Sequence, residues 1–65
     1  MQSNRLREVR TKLGLSQLQL SFLSRVPNCL ISDIERGVRY PFPKARRLIA
    51  EALRMPEGEI FPKAH

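Results

Sequence analysis

Apolar residues recur three and four positions apart along most of this chain, and no stretch alternates as a half-buried strand would. The pattern predicts five helical segments. In the first, about Asn4 to Leu13, Leu6, Val9 and Leu13 form one stripe, with Arg5, Arg7, Glu8 and Lys12 elsewhere. Ser3 or Asn4 suits its start and Gly14 its end. A second segment runs from Ser16, a good N-cap, to about Ser24, with Leu20, Leu23 and Ser24 facing inward. The third spans about Asn28 to Arg36, with Leu30, Ile31 and Ile34 inside and Gly37 stopping it.

Val38-Arg39-Tyr40-Pro41-Phe42 reads as a non-helical loop. Pro43 then opens a fourth helix, where its missing N–H is not needed. That helix reaches about Arg54, with Ala45, Leu48, Ile49, Ala52 and Leu53 as its apolar stripe. A short last turn, Pro56 to Phe61, adds Ile60 and Phe61 to the core, leaving 62–65 as a tail. The fold expected is therefore all-α, one domain over residues 1–65.

Composition narrows the function classes. A 65-residue chain lies near the lower limit for independent folding, burying about 60% of its unfolded surface. Its longest apolar runs fall far short of the ~20 residues a membrane span needs. The start, Met1-Gln2-Ser3-Asn4-Arg5, has no apolar signal core, which points to the bacterial or phage-encoded cytoplasm. One cysteine, Cys29, and one histidine, His65, exclude an internal disulfide and a His-built metal site. There is no paired-carboxylate, Ser/His/Asp, Cys/His or phosphate-loop arrangement, so an enzyme is not expected, nor a cofactor. Net charge is +6, spread over all the helices, which is the electrostatic footprint of a partner that is a polyanion.

The second and third segments supply the candidate chemistry. Two short helices joined by a tight turn, with Ser24 small at the crossing and Val26, Ile31 and Ile34 as anchors, form a unit that fits the DNA major groove. On the third helix Cys29, Ser32, Asp33 and Arg36 fall on the outer side, and Asn28 on the first turn. Asn pairs with adenine edges, Asp accepts from cytosine N4, and Ser serves either base. An ordinary solvated helix face would show the same residue types. Glu35 falls on the inner side and needs a partner there.

Residues Leu6-Arg7, Arg10, Leu13-Gly14-Leu15-Ser16-Gln17, Leu20, Val26 and Ile31-Ser32-Asp33-Ile34-Glu35-Arg36-Gly37 carry a resemblance. With Pro41, Leu48-Ile49-Ala50-Glu51-Ala52-Leu53 and Ile60-Phe61, they make the chain similar to the lambdoid phage repressor, Cro and Xre family of helix-turn-helix domains. The likeness extends from about Arg5 to Phe61. It implies a compact five-helix lambda-repressor-like domain with its helix-turn-helix at about 16–36. It also implies a transcriptional regulator, a repressor, binding palindromic double-stranded operator DNA as a homodimer through its C-terminal helices.

The resemblance further assigns roles. Gln17 matches a glutamine that bonds a DNA phosphate and braces the reading helix. Asn28, Cys29, Ser32 and Asp33 match positions that approach base edges. Arg39, Tyr40 and Lys44 match backbone-contacting positions, and Arg10 with Glu35 an internal ion pair. Arg36 joins the DNA-facing set from its outer position. Four positions depart from the pattern. Arg25 stands where glycine is usual in the turn, Pro27 replaces a Ser or Thr cap, and Phe42 replaces a small cap and is expected to pack on the core. Asp33 brings a negative charge to the DNA face, where it reads cytosine, repels wrong sequences or pairs with Arg36.

Leu18 and Phe22, i and i+4 neighbours on the outer side of the second helix, are not explained by DNA binding. They read as a local pair that stabilises its own helix, as residues buried beneath a tail, or as a contact patch for a second protein chain. The latter belongs to an alternative function, a protein-interaction module such as an antitoxin or accessory subunit.

Overall fold

The computed structural model describes residues 4–62, and within them the chain forms five helices: α1 Leu6–Lys12, α2 Gln17–Ser24, α3 Asn28–Glu35, α4 Pro43–Leu53 and α5 Glu57–Ile60. Every helix sends at least one side chain to the centre: Leu6, Leu20, Ile31, Ile34, Ile49 and Ile60 have no solvent exposure. Each such burial contributes about 1.5–3 kcal/mol, which is how so short a chain offsets its ordering entropy. α2 packs on both α3 and α4, and α1 rests on α3. The first and last parts of the fold are tied by a bond from the Arg5 N–H to the Ile60 carbonyl, 2.8 Å.

Local signals explain the helix ends. Ser16 Oγ accepts from the Gln19 N–H and the Gln19 side chain accepts from the Ser16 N–H, a reciprocal cap at the start of α2. Asn4 precedes α1 and its side chain caps the start of the helix, while Ser3, the other candidate, lies outside the described residues. Asn4 Oδ1 accepts from the Leu6 N–H, and its Nδ2 donates to the Ile34 carbonyl at 2.9 Å, pinning α1 to α3. α1 ends where Gly14 turns left-handed (φ 73°), with Gly14 N–H on the Thr11 carbonyl and Leu15 N–H on the Arg10 carbonyl. Gly37 ends α3 in the same way, φ 76°.

Three apolar residues expected inside are outside. Leu13 is 54% exposed, because the Gly14 turn folds the chain back and Leu15 packs against the core instead. Leu23 is 59% exposed. The buried arc of α2 centres on Leu20 and Ser24 and extends toward half-buried Gln17 and Ser21, so Leu23 falls off its opposite edge. Phe42 is 54% exposed rather than packed on the core, since it precedes Pro43 in extended conformation and the inward position goes to Pro41. His65 lies outside the described residues.

Candidate nucleic-acid interface

A buried ion pair sets the orientation of α3 against the rest of the fold. Arg10 on α1 approaches Glu35 on the last turn of α3 with two parallel contacts, Nε to Oε2 at 2.6 Å and Nη2 to Oε1 at 3.0 Å. The Arg10 and Glu35 side chains are only 10% and 3% exposed. The remaining fork donor, Nη1, bonds the Leu15 carbonyl at 2.7 Å, so the guanidinium also ties down the turn before α2. The hydrogen bond that Arg10 donates to Glu35 holds its guanidinium above its ordinary pKa, outweighing the opposite effect of burial. Glu35 Oε1 also accepts from Gln17 Nε2 at 3.1 Å. No buried side-chain nitrogen or oxygen among the described residues lacks a hydrogen-bond partner.

The turn between α2 and α3 is built on Arg25, which adopts the left-handed conformation (φ 62°, ψ 24°) that glycine would take without strain. Ser24, buried, donates its hydroxyl to the Leu20 carbonyl at 2.7 Å, and its Oγ accepts from the Val26 N–H at 3.3 Å. Its small side chain lets the two helices cross closely. Pro27 stands at the N-cap of α3 and provides no side-chain cap. Its carbonyl instead accepts from the Leu30 and Ile31 N–H groups at 3.0 and 3.1 Å.

With Leu30, Ile31 and Ile34 buried, the opposite face of α3 is open. Asn28, Cys29 and Arg36 are exposed, and Ser32 and Asp33 are half-buried. Arg39, Tyr40 and Lys44 are exposed in the following loop and at the start of α4. Asp33 draws several of these together. Its carboxylate lies 2.5 Å from Arg36 Nη2 and 3.9 Å from Arg39 Nε, while its backbone carbonyl accepts from the N–H groups of Val38 and Arg39. Tyr40 belongs to a different group, with Arg46 5.4 Å from its ring centroid. Arg46 and Asn4 were not legible as site or linking residues from sequence. Arg46 simply occupies a polar position of α4, and only the cap signal marked Asn4.

Leu18 and Phe22 are exposed, at 55% and 77%. Among the described residues no group of three or more His, Cys, Asp or Glu is placed to hold a metal ion, and no helix is long and apolar enough to cross a membrane.

Five helices with a braced α2–turn–α3 unit, a polar open face and a surplus of arginine define a helix-turn-helix DNA-binding protein. A family model described as helix-turn-helix matches residues 6–60, and the chain belongs to that family. Among solved structures, it is similar to the crystal structure of the restriction-modification controller protein C.AhdI from Aeromonas hydrophila. The two share 40% identity with a TM-score of 0.83, over 88% of this chain and 86% of that one. No curated protein matches the chain. The chain is a DNA-binding transcriptional regulator of the Cro and Xre type, not an enzyme, and its partner is double-stranded DNA.

Proposed function

We propose that the chain reads a specific, palindromic operator as a two-fold homodimer, with α3 of each copy in the major groove, and represses transcription by occupying it. The observation that carries this reading is the open face of α3, held in fixed orientation by the Arg10–Glu35–Gln17 network. Gln17, half-buried at the N-terminus of α2, takes a backbone phosphate, where a helix N-terminus favours an anion. Asn28, Cys29, Ser32 and Asp33 approach base edges, with Cys29 acting as a small residue beside a base or thymine methyl. Arg36, Arg39, Tyr40 and Lys44 contact the backbone at the C-terminal end of α3 and beyond. The likeness to a restriction-modification controller supports a role in controlling genes of that kind.

Selection of bound duplexes from a random pool tests this directly. A palindrome with half-sites about 34 Å apart is expected, one turn of DNA. A reporter placed behind the selected site should then lose expression when the chain is supplied. An asymmetric product or no enrichment overturns the dimeric operator reading, and raised reporter output overturns repression.

A second reading rests on the exposure of Leu18 and Phe22, an apolar pair that no DNA role requires. In it the domain also, or instead, serves as a protein-interaction module. Leu18→Glu with Phe22→Lys would then abolish a protein complex while sparing DNA affinity. If every assembly survives the double substitution, the pair only stabilises its own helix.

A further inference from the structure

Arg46, in the second turn of α4, joins three elements through one guanidinium. Its Nη1 donates to the Pro41 carbonyl at 3.0 Å, in the loop before α4. Its Nε donates to Glu57 Oε1 at 3.3 Å, at the start of α5. Its Cζ lies 5.4 Å from the centroid of the Tyr40 ring, within the range of a cation–π contact. The Arg46 side chain is 25% exposed, whereas Tyr40 remains 40% exposed.

We propose that Arg46 is a positioning residue that fixes the Tyr40 ring on a rigid cationic platform, presetting its hydroxyl for a DNA phosphate. The inference rests on the backbone-contacting role proposed above for Tyr40. Two hydrogen bonds limit the swing of the guanidinium, and its place over the ring orders Tyr40 before DNA arrives. Tyr40 then loses less freedom on binding than a loop tyrosine with no support. Two of the donors of Arg46 are committed to Pro41 and Glu57, so its contribution to DNA binding passes through Tyr40. Lysine keeps the charge but lacks the planar fork that makes these contacts together.

The chain contains one tyrosine and no tryptophan, so its tyrosine signal reports on Tyr40 alone. The test is a double-mutant cycle of Arg46→Lys and Tyr40→Ala, binding a labelled mixed-sequence duplex of about 30 base pairs at low salt. Arg46→Lys should weaken binding about two- to five-fold and should add nothing in the Tyr40→Ala background. The near-ultraviolet dichroism of Tyr40 should fall in the same variant while far-ultraviolet dichroism stays native. Glu57→Gln, which loosens the same guanidinium without touching α4, should give a smaller loss that also vanishes without Tyr40.

Additive losses, or an unchanged tyrosine signal, would overturn the positioning role while leaving DNA binding intact. If the wild-type chain binds no duplex in a salt-dependent way, the proposed function fails first. A changed tyrosine signal in Arg46→Lys would then mark the contact as structural only.

Discussion

Gln17 Nε2 donates to Glu35 Oε1 at 3.1 Å, joining the first residue of α2 to the last residue of α3. The same carboxylate receives Arg10 from α1. One side chain therefore sets the angle between the two helices of the DNA-binding unit and fastens both to the rest of the domain.

Replacing Glu35 by Ala should strand a buried guanidinium and release Gln17 together. The expected cost is about 3 kcal/mol, because an unpaired buried charge keeps its desolvation penalty and loses its compensation. Urea unfolding monitored by far-ultraviolet dichroism measures it. A loss under about 1 kcal/mol would mean that water reaches Arg10 and the pair behaves as a surface one.

Gln17→Ala and Asn28→Ala should separate backbone contact from base reading. The former should weaken binding to all duplexes alike. The latter should relax preference at one base pair by about 1–3 kcal/mol. Affinities for a selected site and its single-base variants check both, and a uniform loss in both variants would remove Asn28 from the reading set.

Asp33 holds Arg36 and approaches Arg39, so it restrains two cations beside the proposed backbone contacts. Asp33→Asn should tighten binding to non-specific duplex, since a carboxylate leaves the surface and the arginines are released. The slope of log affinity against log salt should steepen by about 0.9 for each phosphate gained. An unchanged slope would show that the arginines already reach phosphates with Asp33 in place.

Arg25 occupies the left-handed region at a cost of about 1–2 kcal/mol for a residue with a Cβ. Arg25→Gly removes that strain but adds unfolded-state freedom of about 0.4–1 kcal/mol. A net gain of about 0.5–1 kcal/mol is expected, seen as a Tm several degrees higher in thermal unfolding. No gain would indicate that the Arg25 side chain makes a compensating contact.

The elements were legible because their signals are local. The Ser16 cap, the stops at Gly14 and Gly37, and Pro43 at the start of α4 act within a few residues, and the structure uses all of them. The ion pair of Arg10 and Glu35 was legible for a second reason. An acid on an apolar helix face must find a partner, and the family resemblance named it. The exposure of Leu13 and Leu23 was not legible, because periodicity shows that a residue can face a core, not whether a neighbouring element extends far enough to cover it. That of Phe42 was not legible because loop packing has no periodic signal at all.

The sequence by itself determined the five helices, the helix-turn-helix unit, its charge and the polar face of α3, since each follows from spacing and residue chemistry within one segment. Only the tertiary structure decided which apolar residues are covered and how Asn4 pins α1 to α3. It alone brought Arg39 to the pair of Asp33 and Arg36 and set Arg46 over the Tyr40 ring. Those relations depend on the crossing of elements distant in the chain, and side-chain reach across a crossing is not written in any one segment.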